Sequence, residues 1–201
     1  SKRIDLSIGP AYPALQSLLR FLKAVLQKFL PTLFFLLRFL GAYIISSVAY
    51  GLYIAHFDEI ERTDPFTRSI VFQVAEISEA MGYETEIRLN AHLDYPESGL
   101  EQTFDTLYFD GRRTVSVEEG CNGLNVMFLF ASFLFAFGGQ WKRMLWFLPS
   151  GLILIHLAKL TRLYLLAILN ITADGRYFHF FHKYGFTSVL YLMVLLLWAL
   201  W

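Results

Sequence analysis

The sequence predicts an all-α integral membrane protein with about four transmembrane helices, a cytoplasmic N-terminus and a small α+β insertion outside the membrane. The first supporting observation is composition, because 56% of the 201 residues are hydrophobic and only 17% are charged, against about 25% charged in soluble domains. The second is the recurrence of long apolar stretches, interrupted by one long polar stretch. The third is an uneven distribution of charge. The length suits a single membrane-embedded domain, residues 1–201.

The charge distribution predicts how the chain is oriented in the membrane. Residues 57–122 carry fifteen of the seventeen acidic groups and five basic ones, whereas residues 1–29 carry five basic groups against Asp5 alone. Lys142 and Arg143 form a second basic break. Because positive charge accumulates on the cytoplasmic side, we expect both basic regions inside and the acidic segment outside. The formal net charge is zero, so no nucleic-acid-binding surface is predicted.

The N-terminal part predicts a cytoplasmic amphipathic segment, residues 1–29, followed by a first span near residues 30–55. Apolar residues recur at helical spacing before residue 29, with Arg20 and Lys23 on other faces. Such a helix either lies along the inner membrane surface or forms the leading end of the first span. A span needs roughly 20 apolar residues to cross about 30 Å of hydrocarbon. Arg38 interrupts this one, and its side chain can snorkel toward the inner face.

The polar stretch, residues 57–120, predicts an extracytoplasmic cap made of one helix and a hairpin. Asp64 and Pro65 form a helix start, with the aspartate as N-cap and the proline at the first helical position. The apolar stripe that follows stops at Gly82. Asp110-Gly111 is a hairpin turn signal. Alternating residues predict strands over 85–89, 103–109 and 113–117.

Three further apolar stretches predict spans near residues 122–138, 144–169 and 185–201. Four spans that start from a cytoplasmic N-terminus alternate in direction and return the C-terminus to the cytoplasm. This topology places Cys121 at the start of the second span and Arg162 near the outer end of the third. His182 just precedes the fourth span. We therefore expect these three side chains at the outer face of the membrane.

The chemistry of these three residues is that of a cysteine-nucleophile site. Cys121 is the only cysteine, and the predicted helix after it would lower the pKa of its thiol. The guanidinium of Arg162 would stabilise the thiolate or an oxyanion. His182 would act as the general base and then as the acid that protonates the leaving amine. Glu119 could orient His182 or Arg162.

Each of these residues also has a structural interpretation. A single cysteine in a membrane protein is usually a small buried apolar residue. Two histidines, His179 and His182, lie three residues apart, and one of them could be an interfacial packing residue. Lys159 shares a helix face with Arg162, and two such charges within a span predict a negative partner. We read His156 as structural. No metal or cofactor site is predicted.

With these residues identified, the chain resembles the exosortase/archaeosortase family of membrane transpeptidases, and most closely its exosortase F type. The resemblance covers roughly residues 115–201. It rests on the order of cysteine, arginine and histidine with these spacings and spans. The matching segments are residues 119–123, 161–163 and 182–186, continuing to Tyr191 and Trp198.

The resemblance implies a catalytic set of Cys121, Arg162 and His182. Two neighbouring positions depart from the family pattern. Many members carry a small or hydroxyl residue after the cysteine, where this chain has Asn122. Many also have an asparagine three residues before the arginine, where this chain has Lys159.

The resemblance further implies partners, a location and a reaction. The substrates would be membrane-anchored proteins with a C-terminal sorting signal, made of a short motif, a transmembrane helix and a basic tail. Cleavage would pass through a cysteine acyl-enzyme at the outer, periplasmic face of the bacterial inner membrane. Hydrolysis and transfer to a surface acceptor share that intermediate, so both remain open. The alternative from another class is a catalytically silent membrane scaffold that binds a partner helix. A transporter is disfavoured, because the charged cluster lies near one face rather than at the midplane.

Overall fold

The structure, a computed structural model, describes residues 11–60, 62–94, 101–117, 122–172 and 180–201. The helices in these ranges are α1 (Ala11–Glu59), α2 (Pro65–Ala80), α3 (Leu124–Phe137), α4 (Trp141–Thr172) and α5 (Phe186–Leu200), with a π-helical turn (Phe181–Gly185) leading into α5. The strands are β1 (Thr85–Asp94), β2 (Glu101–Phe109) and β3 (Arg112–Val117). They form one antiparallel sheet in the order β1-β2-β3.

The helical membrane class is confirmed, and three helices in the described ranges are long and apolar enough to cross a membrane. These stretches are Leu15–Phe57, Trp141–Thr172 and Phe181–Leu200. The predicted second span corresponds to α3, which has only 14 residues. At 1.5 Å per residue this helix is about 21 Å long, shorter than the ~30 Å hydrocarbon core.

Helix α1 joins the predicted amphipathic segment and the first span into one continuous element. It has 49 residues and contains Pro31, and its length is about 74 Å at 1.5 Å per residue. Phe35 and Phe39 pack edge-to-face on Phe133 of α3, at centroid distances of 5.5 and 6.3 Å. Most side chains between residues 15 and 34 are exposed. The basic N-terminal part of α1 therefore extends beyond the other helices.

Helices α3, α4 and α5 pack around an apolar core and are joined at the end that carries the basic residues. The buried core residues include Phe130, Leu134, Ile155, Leu190 and Val194. At the joined end, the indole Nε1 of Trp201 donates to the Gly138 carbonyl at 3.2 Å. Arg143 Nη2 donates to the Leu200 carbonyl at 2.8 Å. These contacts fix the ends of α4 and α5 against the short α3–α4 connection.

The insertion is a helix on a three-stranded sheet, rather than the predicted helix and hairpin alone. Asp64 caps α2 as predicted, since its Oδ1 accepts from the N–H groups of Phe66 at 2.9 Å and Thr67 at 3.1 Å. Asp110 and Gly111 turn the chain with φ of 49° and 75°, the signs that a type I′ hairpin turn requires. Strand β1 runs on to Asp94.

A buried polar network fixes the start of α2 to the sheet. Asp105 is fully buried and lies opposite a bulge in β1 that contains Asn90, with φ of 50°. Its carboxylate accepts from the Arg68 Nε at 3.0 Å, the Asn90 N–H at 2.9 Å and the Thr63 hydroxyl at 3.1 Å. The aspartate thus has an ion-pair partner and three hydrogen-bond donors, which offset the cost of burying its charge.

The second half of α4 belongs to the core of the insertion. Leu160, Leu163 and Ala167 are buried in one cluster with apolar residues of α2, β2 and β3. The Asn170 amide donates to the Thr114 carbonyl of β3 at 2.6 Å. His156, read from the sequence as structural, lies 2.8 Å from Gln73 of α2. Helix α4 therefore connects the bundle to the insertion, and this position organises the site described next.

Candidate functional site

Four of the residues selected from the sequence lie in the described ranges, namely Asn122, Lys159, Arg162 and His182. Cys121, Glu119 and His179 lie outside the described residues. The four described residues lie at the end of the bundle opposite the Trp201 contacts. Arg162 follows Arg143 by 19 positions and His182 precedes Trp201 by 19 positions, which is about 28 Å of helix in each case.

The first contact of the site joins α4 to the start of α3. Lys159 is only 4% exposed, and its aliphatic chain lies directly on Gly123. A Cβ built on this glycine would be 2.8 Å from Lys159 Cγ and 2.9 Å from Lys159 Cε. Gly123 also has a φ of +88°, a conformation that residues with a side chain rarely adopt. Only glycine therefore fits at this position, two residues after the cysteine.

The second contact joins α4 to the turn that carries His182. Arg162 Nη2 donates to the main-chain carbonyl of His182 at 2.9 Å. The hydroxyl of Thr187 donates to the same carbonyl at 3.2 Å. The turn is π-helical, with the Phe186 N–H bonded to the Phe181 carbonyl, and π-helical turns occur frequently at functional sites. Arg162 thus holds the backbone beneath the imidazole, and both side chains are half-buried.

These two contacts lie on one face of α4. Lys159 and Arg162 are three residues apart, so their side chains are neighbours about 4.5 Å apart along the helix axis. One residue holds the start of α3 and the other holds the start of α5. The structure therefore brings the residues that follow Cys121 and the turn that carries His182 to adjacent positions on α4.

Asn122 is a buried junction between three helices. It is 1% exposed, and its Oδ1 accepts from the Leu124 N–H at 3.0 Å. Its Nδ2 donates to the Thr67 hydroxyl of α2 at 3.0 Å and to the Tyr50 hydroxyl of α1. In the sequence Asn122 stood out only as a departure from a family pattern, and neither of these two partners was predicted. One available signal was Thr67 itself, a polar residue on the apolar face of α2 together with Ile70 and Val74.

A cavity of about 250 Å³ lies between α4 and α5 and has Arg162 in its wall. It is open on the side of the bundle, where Leu165 is 41% and Val189 is 63% exposed. The remaining lining residues are Ala158, Thr161, Phe186, Leu190 and Met193. A second cavity, of about 610 Å³, lies between α1 and α3 and includes Arg38. Of these two cavities between described helices, the first adjoins the site.

The fold defines a multi-pass helical membrane protein in which a polar cluster lies where the bundle meets the inserted sheet. Residues 14–199 match the family model described as transmembrane exosortase, and the chain belongs to this family. The match extends the resemblance seen in residues 115–201 through α1 and the insertion. The family consists, in general, of cysteine transpeptidases. No curated protein and no solved structure matches the chain.

Proposed function

We propose that this chain cleaves the C-terminal sorting signals of membrane-anchored proteins through an acyl-enzyme on Cys121. The observation that carries the proposal is the pair of contacts on α4, where Lys159 covers Gly123 and Arg162 holds the His182 turn. Consecutive Cα atoms are about 3.8 Å apart, so the Cα of Cys121 is at most about 7.6 Å from that of Gly123. The length of the chain therefore limits how far the thiol can lie from the contact between Gly123 and Lys159, and this limit supports the proposal.

The proposed reaction has two steps. The thiolate of Cys121 attacks the scissile carbonyl carbon, the C–N bond breaks, and a thioester forms. His182 passes the proton taken from the thiol to the leaving amine, which departs with the C-terminal fragment. Water or an acceptor amine then attacks the thioester and breaks the C–S bond. His182 takes the proton of the attacking group and returns it to the sulfur.

The two cations of α4 take different roles in this proposal. A thiol with a free pKa of about 8.5 is activated by nearby positive charge, and Lys159 is the cation that contacts the α3 start. Arg162 has five N–H donors in a planar fork, so it can hold the His182 carbonyl and also stabilise an oxyanion. Arg162 would therefore both position His182, the general base, and stabilise the oxyanion intermediate.

The distribution of charge supports an active site on the periplasmic side of the inner membrane. The basic residues of the N-terminal half of α1 and those of the first turn of α4, Lys142 and Arg143, lie toward the same end of the bundle. The acidic insertion packs at the opposite end of α4. Positive charge favours the cytoplasm, so the insertion and the site would face the periplasm. Substrate helices in the bilayer would present their outer ends at this depth.

The reaction intermediate provides the test of this proposal. We expect a substrate protein bearing a C-terminal signal to form a covalent adduct with the chain that neutral hydroxylamine releases, because a thioester is sensitive to this amine. The adduct would be detected by mass on non-reducing gels after brief incubation in detergent micelles. Cleavage without any hydroxylamine-sensitive adduct would contradict the mechanism, and absence of both would favour the silent scaffold.

The two neighbouring histidines should differ sharply when each is replaced by alanine. His182→Ala should lower the cleavage rate by about 10²- to 10⁴-fold, the usual contribution of a positioned acid–base group. The bonds to Arg162 and Thr187 are made by the main-chain carbonyl of residue 182, so this substitution removes the imidazole and keeps them. His179→Ala is the matched control and should stay within about threefold of wild type. The opposite order would identify His179 as the base.

A further inference from the structure

We propose that Asn122 is a positioning residue for Cys121, held in place by the hydroxyls of Tyr50 and Thr67. The inference deepens the proposed function and rests on it, since it assigns the residues that fix the reactive thiol. Neither Tyr50 nor Thr67 contacts the substrate in this account. They act through the amide that directly follows the cysteine.

The orientation of the Asn122 amide is fixed by its partners. The Leu124 N–H can only donate, so the atom facing it at 3.0 Å must be the amide oxygen. The two amide hydrogens then face the Thr67 and Tyr50 oxygens. Oxygen and nitrogen of the amide are each committed to a partner in a site that is 1% exposed. Because Asn122 is buried, losing either hydroxyl removes the partner of a buried N–H, which carries a cost in free energy.

The two hydroxyls belong to parts of the fold that are themselves fixed. Thr67 lies in the first turn of α2, where its own N–H is capped by Asp64 at 3.1 Å. The next residue, Arg68, pairs with the buried Asp105 of the sheet at 3.0 Å. Tyr50 packs edge-to-face on Phe128 of α3 at a centroid distance of 5.8 Å. Asn122 is thus attached to α1, to α2 and, through α2, to the sheet.

The opposite side of the junction is closed by α4. Gly123 has no room for a side chain, because the aliphatic chain of Lys159 lies against it. The two residues after Cys121 are therefore contacted by α1, α2 and α4. The Cα of Cys121 is joined to this frame by one peptide unit, about 3.8 Å long, and we infer that the frame thereby limits where the thiol can lie. Catalysis depends on such positions, since a 1 Å misplacement can cost about 10²-fold in rate.

The test removes one hydroxyl at a time and keeps the shape of each side chain. We expect Tyr50→Phe and Thr67→Val each to lower the cleavage rate about tenfold. This is less than the roughly 10²-fold loss that a 1 Å misplacement of a reacting group can cause. Each should also raise the apparent pKa of the Cys121 thiol toward the free value of about 8.5. The titration is measured by maleimide labelling against pH, and Cys121 is the only thiol in the chain.

Two further variants separate positioning from general stability. Thr67→Ser keeps the hydroxyl and should retain the wild-type titration. Tyr43→Phe makes the same change seven residues earlier on α1, at another half-buried position, and should leave cleavage and titration unchanged. Thermal unfolding in detergent is recorded for all variants. If Tyr50→Phe and Thr67→Val lower the unfolding temperature but leave the thiol titration at its wild-type value, the hydroxyls are structural and the inference is wrong.

The titration also separates this inference from the proposed function, because it needs no substrate. A wild-type chain that forms no acyl-enzyme would end the proposed function, while the comparison of thiol titrations would still decide the role of the two hydroxyls.

Discussion

Replacing Cys121 with alanine should abolish substrate cleavage and leave the fold intact. Loss of a catalytic nucleophile costs up to about 10⁶-fold in other hydrolases, so we expect a loss of at least about 10³-fold. The fold should persist because the start of α3 is held by contacts of Asn122 and Gly123. Cleavage is measured as processing of a co-expressed reporter with a C-terminal signal, and folding as thermal unfolding in detergent.

Cys121→Ser is the matched control for side-chain size. It keeps a small polar group but replaces the thiol by a hydroxyl, which stays protonated without a stronger base. This variant should also be inactive and should unfold at the wild-type temperature. Cleavage by the alanine variant at a rate near wild type would end the assignment of Cys121 as the nucleophile.

Arg162→Lys should lower cleavage by about 10²-fold or more, even though the positive charge is kept. An ammonium lacks the planar fork of donors, and removing one oxyanion-stabilising donor costs about 10²- to 10³-fold. The variant also loses the 2.9 Å bond from Nη2 to the His182 carbonyl. Two effects therefore combine, one on the oxyanion and one on the turn that carries the base. The cleavage rate is the measurement.

The same substitution at Arg143 is the matched control on the same helix. Arg143 contacts the Leu200 carbonyl and the Trp201 ring at the opposite end of the bundle. Arg143→Lys should change the cleavage rate by less than about threefold. Near-normal cleavage by Arg162→Lys would instead show that Arg162 has a structural role, and the oxyanion would need another donor.

Features that depend on neighbouring residues were predictable from the sequence. Capping of α2 by Asp64 involves residues two and three positions away. The hairpin turn depends on Asp110 and Gly111 alone. The apolar stretches predicted α4 and α5 to within a few residues because burial in a membrane selects for continuous apolar sequence. Local chemistry and hydropathy were sufficient for each of these features.

Features that depend on distant residues were not predictable. Asn122 bonds to partners 55 and 72 positions away, and no spacing in the sequence indicates such a pair. Lys159 was expected to seek a negative partner, and the close packing of its aliphatic chain on Gly123 was not foreseen. The π-helical turn at His182 has no sequence pattern of its own. The sequence therefore predicted candidate side chains, but not the contacts that position them.

Labelling Cys121 with a membrane-impermeant maleimide tests whether its thiol is activated and whether it lies on the outer side of the membrane. Intact spheroplasts expressing the wild type or His182→Ala would be labelled across a range of pH. We expect labelling without permeabilisation, a wild-type apparent pKa below the free value of about 8.5, and a higher value in His182→Ala. Labelling only after permeabilisation would contradict the topology, and a thiol that titrates near 8.5 in both chains would contradict the activated nucleophile.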